Sequence, residues 1–296
     1  MAALVMPELK TVGALVAWAR QSLGQAGVSN GAQEAMWILE HALAVRSHQL
    51  VSQTDRLVSP DARNRVESLV ARRVAREPLQ YLLGTQEFCG LEFAVSPAVL
   101  IPRPETELLI HHVVDHVRSF SNATIVDVGT GSGCVAITLA TRLKGQRVIA
   151  IDRSPEALGV AQRNAMTHAV RDRIEWLEGD LLAPLREQEG ADSVEVIVSN
   201  PPYISVSDWA GLEPEVRVFE PRMALVGGEQ GTEFHERLLR ESREFLVPGG
   251  LLIMEMGAGQ ASTVRQLAEQ IGGYAALRII QDAAGIERVV MAQRVE

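Results

Sequence analysis

The stretch VSNPPYI, Val198 to Ile204, follows the apolar run VEVIV and joins an asparagine to a tyrosine across two prolines. Proline cannot continue a strand ladder, and two in succession make a stiff, extended exit. Pro201 and Pro202 therefore leave Asn200 and Tyr203 little freedom at a strand end. Such a segment is either a strand terminator with a surface tyrosine or a rigid clamp for a planar amide or amine.

A second candidate lies upstream. DVGTGSG, Asp127 to Gly133, places Gly129, Gly131 and Gly133 around Thr130 and Ser132, directly after an apolar run. Glycine lets the backbone turn tightly and approach a ligand closely. The spacing is GxGxG rather than the pyrophosphate-binding GxGxxG, with Cys134 where a third glycine would stand, and the Gly-Lys-Ser/Thr of a phosphate loop is absent. Asp152 ends the next strand-like run, VIAID, where a carboxylate can accept both hydroxyls of a ribose. Asp180 closes a third, where an acid can meet an adenine amino group. Together these groups form a crevice at the carboxyl ends of consecutive strands, suited to a nucleoside.

The elements that must position these groups fall into two textures. Up to about Glu87 the apolar residues recur at helical spacing, as in AQEAMWILEHALA, where Met36, Leu39 and Leu43 share a face. Ser29-Asn30 and Ser59-Pro60-Asp61 read as helix starts. His41 and His48 read as core or surface residues, and RRVAR (Arg72 to Arg76) as a solvated helix face. From Phe88, short apolar runs punctuated by Gly90 and Pro97 suggest a hairpin or extended linker. IPRPETE, with Pro102 and Pro104 around Arg103, is either a linker or a loop folded over an active site. Beyond it, TIVDVG, RVIAID, RIEWLEG, VEVIVS, GLLIMEM, AALRII and ERVVMA read as strands. The first five are separated by crossover helices and form a parallel, doubly wound sheet, and the last two pair antiparallel. The expected domains are 1–87 (helical), 88–105 (hairpin or linker) and 106–296 (α/β).

Composition narrows the function classes. The 296 residues are 47% hydrophobic with a formal net charge of −9, which disfavours an extended nucleic acid groove. No apolar run is long enough for a membrane span, and MAALVMPELK lacks the pattern of a secretory signal. Cys89 and Cys134 are too few for a disulfide framework or a zinc site. A cytoplasmic monomer without membrane contact is the expectation.

The glycine loop, Asp152 and NPPY resemble a class I S-adenosylmethionine-dependent methyltransferase with a Rossmann-like sheet, of the subset that methylates planar nitrogen. PLQYLLGTQEF, VLIPRPETELL, FEPRMALVGGEQG and PGGLLIMEMGAGQ further resemble the peptide chain release factor glutamine methyltransferases, the PrmC/HemK family. The helical first region, including EAMWILEHAL, is similar to that family's small, substrate-docking first domain. The resemblance implies S-adenosylmethionine held by Gly129, Thr130, Gly131, Ser132, Gly133 and Asp152, with Asp180, Leu181 and Asn200 completing its site. It also implies that Asn200, Pro201, Pro202 and Tyr203 hold the glutamine of a Gly-Gly-Gln loop in class I release factors. Leu181 and Cys89 depart from the family pattern, which often has aromatic residues at both positions.

That chemistry needs positioning more than acid or base groups. A glutamine amide nitrogen is a poor nucleophile because its lone pair is delocalised into the carbonyl. Two acceptors facing its N–H bonds, the Asn200 side-chain oxygen and the Pro201 carbonyl, would fix the nitrogen and strengthen as positive charge develops on it. Tyr203 would pack flat on the amide. No metal is required, and Glu105, Glu107 and Glu220 read as surface or loop carboxylates. The alternatives are a glutamine methyltransferase of a ribosomal protein, a nucleic acid adenine-N6 methyltransferase, and a nucleoside-binding module without turnover.

Overall fold

The structure, a computed structural model, describes residues 9–118, 120–188, 190–275 and 277–295. Residues 1–8, most of the stretch read for a secretory signal, and residue 276 of the expected AALRII strand lie outside the described residues. Two units are distinguished, Met1–Gly84 with Pro214–Phe219, and Thr85–Glu213 with Glu220–Glu296.

The first unit contains α1 (Val12–Gln25), α2 (Gly31–Leu43), α3 (Ser47–Ser52), α4 (Pro60–Val74) and α5 (Leu79–Leu83). Numbered in chain order, its sixth helix is α9 (Pro214–Phe219). Ser59 caps α4 as expected, its hydroxyl accepting from the Ala62 N–H at 3.3 Å with Pro60 in the first turn. Asn30 stands at the start of α2 but makes no side-chain cap. Leu15, Leu23, Ile38, Leu39, Val66 and Val70 are among the residues of one apolar core.

Of the RRVAR cluster, Arg72, Val74 and Ala75 are exposed, but Arg73 is not part of a solvated face. Arg73 is 6% exposed; its Nε donates to Glu34 at 2.5 Å and its Nη1 to Glu215 at 2.9 Å, tying α2, α4 and α9 together. Arg76 also pairs with Glu215, and Arg72 with Glu77. These cations are spent on carboxylates of their own unit.

In the second unit, β1 (Thr85–Phe88) and β2 (Leu91–Ala94) form an antiparallel hairpin around Cys89-Gly90. Helix therefore ends before Glu87. Gly84 closes α5 in the left-handed region, and Thr85 already pairs with Ala94.

After α6 (Glu107–Val117), β3 (Thr124–Val128), α7 (Cys134–Arg142), β4 (Arg147–Asp152), α8 (Pro155–Thr167), β5 (Ile174–Glu178) and β6 (Val194–Ser199) follow in turn. The short β7 (Ile204–Ser205) and β8 (Val226–Gly228) pair with each other. Then come α10 (Glu233–Phe245), β9 (Leu246–Glu255), α11 (Ala261–Ile271), β10 (Arg278–Gln281) and β11 (Glu287–Gln293).

Seven strands form one sheet in the order β10-β11-β9-β6-β3-β4-β5. β3 to β6 and β9 are mutually parallel, and β11 lies antiparallel between β9 and β10. The antiparallel pair is the expected one. The insertion of β11 beside β9 fills the slot left when the chain crosses from β9 through α11 to β10. Alternate strand residues serve opposite faces: Ile125, Val196 and Ile253 pack with α6 and α7, whereas Val126, Ile197 and Leu252 pack with α10 and α11. The chain leaves β3 on one side for β4 and returns on the other as β6, which makes the β3/β6 boundary the topological switch point.

Replacing Arg73 with Met keeps the apolar stem, removes the cation from Glu34 and leaves Glu215 with Arg76 alone. Urea denaturation is expected to show a loss of about 3 kcal/mol in unfolding free energy, the scale of a broken buried ion pair.

Candidate active site

Register brings the candidate groups to one level. Val128 of β3 stands beside Ile151 of β4 and Ser199 of β6, so Gly129, Asp152 and Asn200 each follow directly at the carboxyl end. Ser199 Oγ donates to the Val128 carbonyl at 2.8 Å and ties the two strands at the switch point.

The glycine loop is folded over the end of β4. The N–H groups of Gly129 and Thr130 both donate to the Ile151 carbonyl, at 2.8 and 3.0 Å. Asp127 was not singled out from the sequence, yet it anchors this loop. Its Oδ2 accepts from the Thr130 hydroxyl at 2.6 Å and from the Ala136 N–H at 3.1 Å, stapling the loop to the first turn of α7. Burial pushes its pKa up to about 7. Asp152 accepts the Gly131 N–H on Oδ2 at 2.8 Å and the Ser154 N–H on Oδ1 at 2.9 Å. A carboxylate has about four acceptor sites, so capacity remains for a ligand hydroxyl. Burial raises the pKa of Asp152 as well.

These groups border a cavity of about 1050 Å3, counting its open mouth. Gly129, Thr130, Gly131 and Ser132 line it, as do Asp152, Asp180, Leu181 and Asn200. Gly133 does not. A Cβ there would stand 2.8 Å from Ile137 and 3.0 Å from Ala161, so this glycine, at φ +82°, serves the close packing of α7 on α8. Asp180 is exposed and paired with Arg237 at 2.8 Å. Leu181 is buried.

Asn200, Pro201 and Pro202 form another part of the cavity wall, whereas Tyr203 does not line it. The Asn200 Nδ2 donates to Thr106 Oγ1 at 3.1 Å, and that hydroxyl donates to Glu255 Oε2 at 2.6 Å. Tyr203 reaches the same carboxylate, its hydroxyl donating to Oε1 at 3.2 Å. Glu255 is 1% exposed, and burial raises its pKa to about 7. His235, fully buried, bonds through Nε2 to the Glu255 carbonyl, and burial lowers its pKa to about 4.

Two segments brace the backbone of NPPY. Gly227 and Gly231 lie so near that a Cβ on either would come within 2.4 Å of a carbonyl oxygen, that of Pro202 or of Tyr203. Gln260 Nε2 donates to the Tyr203 carbonyl at 2.8 Å, and the Ile204 N–H donates to the Leu225 carbonyl at 2.9 Å.

IPRPETE is the loop over the site rather than a linker, since Pro102 and Thr106 line the cavity. Glu220 is not a surface carboxylate: it is 5% exposed, pairs with Arg103 and accepts the Ile101 N–H at 3.1 Å. Glu107 accepts the Cys89 N–H at 2.8 Å. Sequence reasoning passed over Thr106 and Glu255 because their meeting spans 149 residues. The available signal was that both lie in segments shared with the methyltransferase pattern.

Asp127 and Glu255 hold a proton in the folded state up to about pH 7, whereas the unfolded chain releases it near the ordinary carboxylate range. Each therefore favours the folded state below its unfolded pKa, and that contribution is lost as pH rises through its folded pKa. Thermal unfolding between pH 5 and pH 8 is expected to show a smaller fall in midpoint for Asp127→Asn than for the wild type.

Two families match. The one described as "PrmC N-terminal domain" covers residues 14–84, and "Methyltransferase small domain" covers residues 104–210. Among solved structures, the catalytic domain of hMettl16 in complex with MAT2A 3'UTR hairpin 6 shares the fold. Its TM-score is 0.55 at 17% identity, over 76% of this chain and 81% of that one. A delta-N METTL16 MTase domain gives 0.52 at 21% identity, over 70% and 90%. The "Release factor glutamine methyltransferase" of Geobacter sulfurreducens is 42% identical over 284 residues, 96% of this chain and 97% of the relative. That of Moorella thermoacetica is 40% identical, over 94% and 99%. With such identity along almost the whole of both chains, this protein belongs to the release factor glutamine methyltransferase family.

Proposed function

We propose that the protein methylates the side-chain amide nitrogen, N5, of the glutamine in the Gly-Gly-Gln motif of class I peptide chain release factors. The observation that carries this reading is the placement of Asn200 and Pro201 in the wall of the cavity that the glycine loop and Asp152 also line, in a chain of this family.

The residues present fit S-adenosylmethionine. A Cβ at Gly129 would meet no protein atom within 4 Å, so the loop leaves open space beside its backbone. Asp152 retains acceptor capacity for a ribose, and Leu181 supplies an apolar wall beside Asp180 for a purine. The bound cofactor supplies an activated methyl group on a sulfonium. The methylated amide would then give its extra proton to water.

The chain's own contribution is to hold the amide. The Asn200 Oδ1 and the Pro201 carbonyl accept its two N–H bonds, localising the lone pair toward the methyl and gaining strength as nitrogen becomes positive. Pro202 sets the spacing to Tyr203. The Tyr203 hydroxyl is bound to Glu255, and burial raises its pKa, so the phenol stays neutral and acts by packing.

Docking of the release factor is assigned to the N-terminal helices, residues 1–87. The match of residues 14–84 to the PrmC N-terminal domain supports this, as does the exposed apolar surface of Trp37, Val51 and Leu57. The same match favours a release factor over a ribosomal protein. The protein is read as a cytoplasmic monomer. Two free cysteines suit a reducing compartment, and among the described residues no helix is long and apolar enough to cross a membrane. The net charge of −9 weighs against a nucleic acid substrate.

Incubation with radiolabelled S-adenosylmethionine and a class I release factor is expected to label the wild-type factor and not its Gly-Gly-Ala version. Label on both, or on neither, overturns the assignment. Asn200→Ala is expected to lower kcat by on the order of 10²-fold or more, the scale of removing a transition-state hydrogen-bond partner. Calorimetric binding of S-adenosylmethionine should largely persist in that variant.

A further inference from the structure

A substrate N–H needs an acceptor, so Asn200 must offer its oxygen and not its nitrogen. A primary amide has nearly the same shape either way round, and only its neighbours can choose between the two settings. Those neighbours make the choice here. Asn200 Nδ2 stands 3.1 Å from Thr106 Oγ1, and that hydroxyl points its proton at Glu255 Oε2, 2.6 Å away.

A threonine hydroxyl has one proton. Once it is committed to the carboxylate, only lone pairs remain to face Asn200, and lone pairs accept an N–H but repel a carbonyl oxygen. Tyr203 donates to the other carboxylate oxygen, so once Glu255 is ionised, above its pKa of about 7, both of its oxygens act as acceptors. Thr106 is 2% exposed and Glu255 1%, so bulk water is kept from breaking this order.

We propose that Thr106 and Glu255 are positioning residues for methyl transfer: their hydrogen-bond chain sets the polarity of Asn200, holding Nδ2 inward and presenting Oδ1 to the substrate amide. The proposal rests on the substrate reading above and adds two residues that do not themselves touch the reacting atoms. It also gives a physical reason why the threonine of IPRPETE and the glutamate of LLIMEM belong to one site. The two segments meet across 149 residues to fix one amide group.

The test compares Thr106→Val with Thr106→Ser. Valine keeps the volume and removes the hydroxyl; serine keeps the hydroxyl and removes a methyl. Thr106→Val is expected to lower kcat on the release factor by on the order of 10²-fold, with binding of S-adenosylmethionine unchanged, and Thr106→Ser to restore most of it. In 15N-labelled protein, the Asn200 side-chain NH2 is identified by its loss in Asn200→Asp. Its protons should exchange slowly with solvent in the wild type and the serine variant, and rapidly in the valine variant.

Wild-type kcat and slow exchange in Thr106→Val overturn the proposal. Equal impairment of both variants reduces Thr106 to packing and also overturns it. Should the wild type leave the Gly-Gly-Gln glutamine unmethylated, the substrate reading falls, and the exchange measurement still decides whether Thr106 orients Asn200.

Discussion

A proline pair at a strand end removes two backbone donors, and most of the site's construction answers that deficit. Pro201 and Pro202 cannot enter a ladder, so the segment that must be most rigid can be held only by carbonyls, side chains and close packing. The Tyr203 carbonyl is taken by Gln260, while Gly227 and Gly231 bring backbone against the Pro202 and Tyr203 carbonyls with no room for a side chain. Asn200 and Tyr203, at the two ends of the segment, converge on Glu255, the first by way of Thr106. Rigidity at NPPY is thus supplied by residues drawn from three other segments of the chain.

Convergence of this kind follows from the sheet. In a parallel sheet every strand delivers its loop to the same edge, and at the β3/β6 switch point neighbouring loops diverge and leave a crevice. The glycine loop, the end of β4, IPRPETE and the β6 exit meet there. Carboxylates do much of the fastening: Asp127 holds the glycine loop, Glu220 holds IPRPETE through Arg103 and Ile101, and Glu255 holds NPPY. Burying an acid is costly, and the raised pKa values of Asp127 and Glu255 register that cost. What offsets it is directionality. An ionised carboxylate only accepts, so every donor it gathers is oriented.

The parts of this design visible in the sequence were those carried by local pattern. Two prolines after an apolar run, glycines after another, and an acid closing a third are each legible within ten residues, and each lies where expected. The seven strands were legible for the same reason. Pairings across long separations were not. Nothing local tells that β11 slips between β9 and β10, that Thr106 meets Glu255, or that Arg73 holds Glu215. Glu220 looked like a loop carboxylate because its partner lies 117 residues away. Gly133 looked like one more ligand-facing glycine, and only three-dimensional packing shows that α8 needs the space.

Geometry also separates the two departures from the family pattern. Both stand at positive φ, +53° for Cys89 and +50° for Leu181, where side chains are costly. Leu181 is buried and lines the cavity, where an aliphatic side chain offers dispersion contact rather than ring stacking. Cys89 lies away from the cavity, in the two-residue turn between β1 and β2. There it shares a left-handed turn with Gly90 and donates its N–H to Glu107. Burial pushes its thiol up to about 11, so it is a neutral, half-buried side chain and not a nucleophile. One departure therefore borders the cavity and the other lies in a hairpin turn, although in the sequence they are equally conspicuous.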